Sequence, residues 1–183
     1  AVADCGVVMG TTRRRSVLRR NIVGPDEAGA MLRARLCGNK AALVLGSEDS
    51  GLDNDDLSLC NWIVGMHTGT GEESFNLSHS AAIILYSFNR AVVDPVFGPR
   101  KLVPAHDLEH MFDDMGLFLR EIGFLHEQDP KRMLMTARQI LHRAELDPRE
   151  VKIIRGVIRQ CRWRIENPEA ELLPRDTPQQ TKR

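Results

Sequence analysis

The sequence predicts an α/β layer built on a parallel sheet, followed by a small all-α domain. Three observations carry this. Short apolar runs that lack polar alternation recur between helical stretches in the first half of the chain. Such runs mark strands buried on both faces, and alternation with helices marks parallel pairing. A proline-bearing stretch with Pro95, Pro99 and Pro104 interrupts the pattern. Beyond it only helical periodicity continues.

Taken in order, Gly6–Thr12 (GVVMGTT) forms the first strand, ending in hydroxyl residues. Residues 13–24 are basic and irregular. Pro25–Leu36 is a helix with Asp26 and Glu27 in its first turn, where the helix dipole favours acids. Ala41–Leu45 (AALVL) is a second strand, its unbroken apolar run predicting burial on both faces. Gly46–Leu52 is a turn, and Asp53 caps a short helix running to Leu59, with Asp56 at the third helical position. Trp62–Met66 is a third strand, and residues 67–73 are a glycine-rich loop. Asn76–Val93 is apolar on nearly all sides and is predicted to be a buried helix. Three strands are few for a free-standing sheet, which commonly has about four to six.

Residues 1–94 thus form the α/β unit, 95–106 a linker, 107–165 a helical unit and 166–183 a polar, flexible tail. Helices are expected over 107–122, 130–144 and 147–165. Gly123 and the Asp129-Pro130 and Asp147-Pro148 pairs punctuate them; proline suits a first helical turn. In the last helix Val151, Ile154, Ile158, Cys161 and Ile165 make an apolar stripe. Lys152, Arg155, Arg159 and Arg162 make a basic stripe beside it.

Composition narrows the function classes. Of 183 residues 42% are hydrophobic and 27% charged, a globular profile rather than a disordered one. No apolar run approaches the roughly 18 to 20 residues that cross a bilayer, and no basic leader precedes an apolar stretch, so a cytoplasmic location is expected. Cys5, Cys37, Cys60 and Cys161 have no metal-binding or C-x-x-C spacing and read as reduced thiols; the six histidines are scattered, and no metal is expected. The formal net charge of zero hides an asymmetry: residues 130–164 hold ten Lys or Arg against Glu145, Asp147 and Glu150. Arg13, Arg14, Arg15, Arg19 and Arg20 make a second basic cluster. A phosphate backbone responds to the location of charge, so the basic stripe is either a solvated face or a nucleic-acid contact.

Two segments concentrate chemical potential. Leu43–Leu52 (LVLGSEDSGL) puts a glycine and Glu48 at the carboxyl end of a strand, where α/β sheets bind ligands. Met66–Leu77 (MHTGTGEESFNL) brings Ser74 and Asn76 to a helix start, where free N–H groups hold polar groups. Read alone, Gly46 and Glu48 are a strand-to-loop turn and Ser74 a helix cap.

Together these segments resemble motifs 2 and 3 of the SPOUT superfamily, TrmH-like branch, whose patterns run roughly LVFGxExxGL and IPxxxxxxSLNLSxA. Phe75 stands where that family usually has leucine. Gly10-Thr-Thr-Arg-Arg14 resembles the GTSAR segment of the TrmJ subfamily, whose members are tRNA 2′-O-methyltransferases acting at position 32 of the anticodon loop. Ile122–Leu125, Pro130–Met133, Arg143-Ala144 and Glu150–Gln160 resemble the TrmJ C-terminal extension. The resemblance implies an α/β domain with a trefoil knot, a homodimer, and S-adenosyl-L-methionine as methyl donor to a ribose 2′-hydroxyl of tRNA or rRNA. It implies cofactor contacts from Thr11, Thr12, Arg13, Gly46, Met66, Ser74, Phe75 and Asn76, and catalytic roles for Arg14 and Asn76. RNA contacts are expected from Lys152, Arg155, Arg159 and Arg162. The family's motif 1, with its catalytic arginine and the first strands of the sheet, has no counterpart here, so the sequence is expected to be a fragment whose own activity is in question. The alternative is a non-catalytic RNA-binding module that keeps the fold.

Overall fold

A computed structural model describes residues 1–12, 22–66, 75–91, 100–125 and 130–169. Four strands form one sheet: β1 (Val7–Thr12), β2 (Ile22–Val23), β3 (Ala41–Val44) and β4 (Trp62–Gly65). The order is β2-β4-β1-β3, and every pairing is parallel. The mixed α/β architecture with a parallel sheet is as the sequence predicts. The fourth strand, β2, falls inside residues 13–24, which the sequence marks as basic and irregular. At two residues it is too short to carry a period; only pairing of Ile22 with Ile63 and Val23 with Val64 makes it a strand.

The two central strands are deeply buried, and their side chains alternate between two clusters. Val7, Met9, Trp62 and Val64 join the core beneath α1 (Pro25–Arg35) and α3 (Leu77–Arg90). Ile63 faces Leu52 and Leu57 of the short helix α2 (Asn54–Ser58). β3 departs from expectation. Its residues are half-buried, because it lies at a sheet edge and only β1 covers its flank.

The helices begin where local chemistry dictates. Pro25 opens α1, with Asp26 and Glu27 in the first turn. Asp53 caps α2 by a reciprocal box with Asp56: each side chain accepts the other residue's backbone N–H. Asn76 caps α3 by accepting from the Ser78 N–H at 2.9 Å. Burial of α3 is one-sided, contrary to the reading of an all-round buried helix. Ile84 and Ser87 pack inward toward α1, whereas Leu85 and Tyr86 remain 51% and 62% exposed. Nothing among the described residues covers that outer face.

Three further helices follow: α4 (Ala105–Glu121), α5 (Pro130–Arg143) and α6 (Pro148–Glu166). Val103, Leu108, Met111, Phe112, Leu146 and Val151 form their shared core. α4 and α6 run side by side, tied by Asp114–Arg155 at 2.7 Å and Glu121–Arg162 at 2.6 Å, two rungs seven residues apart on each helix. Arg138 of α5 forks onto the Glu109 carboxylate at 2.5 and 2.7 Å and lies over the Phe112 ring. The apolar stripe of α6 is buried at Val151 and Ile158, but Ile165 is exposed, since it lies beyond the end of α4.

These helices attach at the amino ends of the strands. Asn39, just before β3, accepts the Leu102 N–H at 2.7 Å and donates to the carbonyls of Arg35 and Arg100, each at 2.8 Å. Asn61, just before β4, accepts the Val8 N–H at 2.7 Å, which turns its amide N–H toward Nδ1 of His142 at 3.2 Å. The Ala105 N–H donates to the Cys5 carbonyl before β1. Arg35 of α1 pairs with Glu145 between α5 and α6 and lies over the Trp62 ring at 4.9 Å. Residues 100–104 are therefore held against both layers, with Leu102 and Val103 buried.

A candidate cofactor cleft at the carboxyl ends of the strands

The opposite end of the sheet is open. An open cleft lies beyond the carboxyl ends of β1, β3 and β4. Thr11 and Thr12 end β1, Leu45 and Gly46 follow β3, and Met66 follows β4. Phe75, Leu77 and Ser80 bring the start of α3 to the same space. The Met66 N–H donates to the Thr12 carbonyl at 3.2 Å, which fixes two of these walls together.

The floor is main chain. A Cβ on Gly46 would lie 2.1 Å from the Gly51 carbonyl carbon and 2.3 Å from the Leu52 nitrogen. The loop from Ser47 to Gly51 thus folds back onto Gly46 with no room for any side chain. An antiparallel bridge between Ser47 and Gly51 closes it, and Gly51 takes the left-handed conformation, φ 69°. The Ser47 and Ser50 hydroxyls meet at 2.7 Å on its rim. Leu45, Leu52, Met66 and Leu77 supply apolar walls beside the hydroxyls of Thr11, Thr12, Ser47, Ser50 and Ser80.

Five of the sequence-derived site residues therefore share one space: Thr11, Thr12, Gly46, Met66 and Phe75. Asn76 stands beside it. Its Oδ1 accepts from the Ser78 N–H and hydroxyl, and its amide donates to Glu48 Oε1 at 3.3 Å. Glu48 lines the cleft, so Asn76 couples the cap of α3 to the cleft wall. Arg13, Arg14 and Ser74 lie outside the described residues. The cap of α3 is Asn76.

Sequence reasoning named none of Leu45, Ser47, Ser50, Leu77 and Ser80 as cleft residues. Ser47 and Ser50, three apart across the turn, were the legible signal. On α6, Arg155 and Arg162 are engaged by Asp114 and Glu121, while Lys152 and Arg159 face outward. No group of three or more His, Cys, Asp or Glu able to hold a metal occurs among the described residues, and none of the described helices is long and apolar enough to cross a membrane.

A parallel sheet with a glycine-floored cleft at its carboxyl ends is the frame of a nucleotide-like cofactor site. Comparison with known proteins makes this specific. Residues 9–86 match the SpoU rRNA Methylase family, and residues 106–170 match the C-terminal domain of the tRNA methyltransferase TrmJ. Together the two matches span most of the chain and support a SPOUT methyltransferase of the TrmJ type. The chain is 29% identical over 167 residues to the tRNA (cytidine/uridine-2′-O-)-methyltransferase TrmJ of Salmonella typhimurium, covering 86% of this chain and 68% of that one. Its identity to the protein of the same name in Escherichia coli K12 is 28% over 180 residues, covering 93% and 72%. The fold is that of the crystal structure of TrmJ from Z. mobilis ZM4, with a TM-score of 0.72 at 24% identity, covering 88% of this chain and 69% of that one.

Proposed function

We propose that this chain carries the cofactor site of a tRNA 2′-O-methyltransferase that uses S-adenosyl-L-methionine. The observation that carries the proposal is the convergence of Thr11, Thr12, Gly46, Met66 and Phe75 on one cleft. The donor set fits the cofactor. The apolar side chains of Leu45, Leu52, Met66 and Leu77 suit a purine face. The main chain around Gly46 and Gly51 can approach it closely, and the hydroxyls of Thr11, Thr12, Ser47 and Ser50 suit a ribose and an amino-acid tail. When bound, S-adenosylmethionine supplies an electrophilic methyl group.

The chain's own residues position that chemistry. Asn76 is bonded on both sides, to Ser78 and Glu48, and holds the start of α3 against the cleft as a positioning residue. Arg13 is proposed to contact the cofactor, with Ser74, and Arg14 to hold a phosphate of the substrate beside it. Alignment of the hydroxyl with the methyl group supplies much of the rate in such a displacement. The relatives' name supports a cytidine or uridine ribose as the acceptor, and the anticodon loop, at position 32, is the proposed location. The trefoil knot, the independent standing of the helical unit and a cytoplasmic site belong to the same reading. So does a homodimer, for which the open outer face of α3, with Leu77, Leu85 and Tyr86 exposed, is the available surface.

Calorimetric titration with S-adenosylhomocysteine, paired with transfer of labelled methyl to unmodified tRNA, tests this. Cofactor binding with transfer to a ribose hydroxyl is the expected result. RNA binding without cofactor binding would leave a non-catalytic module.

A further inference from the structure

α6 carries a second stripe that the ion pairs to α4 leave open. Lys152, Gly156, Arg159 and Trp163 follow one another at spacings of four, three and four residues, so they lie along one face of the helix. Arg155 and Arg162 flank that face and are held by Asp114 and Glu121. No carboxylate among the described residues lies within ion-pair distance of Lys152 or Arg159 in the way that Asp114 and Glu121 engage their neighbours. These residues line a groove in which four cations, Lys152, Arg155, Arg159 and Arg162, meet two carboxylates, Asp114 and Glu166.

Two features of the groove are unexplained by packing within the chain. Trp163 is 41% exposed on this polar face, whereas Trp62 is 7% exposed in the core. Gly156 sits in mid-helix, where glycine is less favourable than alanine. A Cβ at Gly156 would meet nothing within 4 Å among the described residues, so no neighbour demands its absence. It leaves the helix backbone bare midway between two cations.

We propose that this groove binds an unpaired nucleotide segment of the RNA, with phosphates on Lys152 and Arg159, a base stacked on the Trp163 indole, and the strand passing over Gly156; this rests on the tRNA reading above. An indole next to outward cations matches the two-part recognition of single strands, charge for the backbone and an aromatic face for the base. A duplex offers no free base face, which is why the occupant is single-stranded. The groove belongs to the helices at the amino ends of the strands, the cleft to the carboxyl ends. The segment held on Trp163 is therefore remote from the reacting ribose at the cleft of the same chain.

The test measures affinity for unmodified tRNA, its salt dependence, and tryptophan emission on adding a single-stranded RNA oligonucleotide or its duplex. Trp163→Ala is expected to weaken tRNA binding about tenfold or more, with the salt slope unchanged, and Trp163→Phe to restore most of it. Lys152→Ala with Arg159→Ala is expected to lower the slope of log K against log salt by about 1.4, two phosphates' worth on a single strand. The oligonucleotide quenches emission in the wild type and not in Trp163→Phe; the duplex quenches neither. Unchanged tRNA affinity in Trp163→Ala, with a loss in the charge variant, overturns the stacking proposal and leaves the tRNA reading standing. Methyl transfer to tRNA by none of the proteins, wild type included, with no tRNA binding, overturns both. All three side chains are exposed, so circular dichroism and S-adenosylhomocysteine titration of each variant are expected to match the wild type.

Discussion

The two ends of this sheet are built from different materials. At the carboxyl ends the cleft has a main-chain floor, with small hydroxyl residues beside apolar walls and the Ser47–Gly51 loop folded directly onto Gly46. At the amino ends the helical layer is fastened by long side chains: the amides of Asn39 and Asn61, and the Arg35–Glu145 pair. A surface that must admit a ligand keeps its backbone accessible. A junction between two layers is held by side chains that pair across it. The difference predicts where substitution abolishes binding and where it only loosens the fold.

The largest effect is expected at Gly46. Gly46→Ala puts a methyl into the backbone of Gly51 and Leu52, so the loop must move; overpacking of this kind destabilises by about 1–3 kcal/mol. S-adenosylhomocysteine binding should fall at least tenfold in calorimetry while helicity persists. Wild-type affinity in this variant would place the cofactor elsewhere.

A smaller, purely structural effect is expected at the other end. Asn61→Ala leaves the Val8 N–H and the His142 ring without the amide that joins them, at a cost of about 1–3 kcal/mol. Thermal unfolding should show the loss, while cofactor affinity at a temperature well below Tm stays at the wild-type value. A change in affinity as large as that of Gly46→Ala would erase the distinction between the two ends.

The smallest effect concerns the start of α6. Backbone N–H donors from Glu150 and then Arg149, with the nearby charge of Arg100, hold the Asp147 carboxyl below its ordinary value. The cap is therefore complete above the usual carboxylate range and is lost as pH falls through the lowered value. Asp147→Asn keeps a capping acceptor that does not titrate, so its acid-limb loss of Tm should be shallower than that of the wild type.

Much of this was legible in the chain. Asp53 with Asp56 announces its own capping box, because capping is decided within four residues, whereas Asp147-Pro148 marked only a helix start and the box with Glu150 came from the structure. The unbroken apolar runs of β1 and β4 announce central parallel strands. The cleft residues were found through resemblance and through one local rule, glycine at a strand's carboxyl end. β2 was invisible, since two residues carry no period. The one-sided burial of α3 was misread, since an apolar composition states what a helix can bury and not what is available to cover it.

By itself the sequence determined the positions of most helices and of three strands, and the two stripes of α6, which depend on residues close along the chain; the pattern of those elements predicted the parallel α/β class. Only the tertiary structure decided which cations of the basic stripe remain outward, because Asp114 and Glu121 reach Arg155 and Arg162 from 41 residues away. Tertiary structure alone also set the cleft and the helical layer at opposite ends of one sheet. Strand order and long-range pairing are fixed by packing over the whole chain, and no local pattern encodes them.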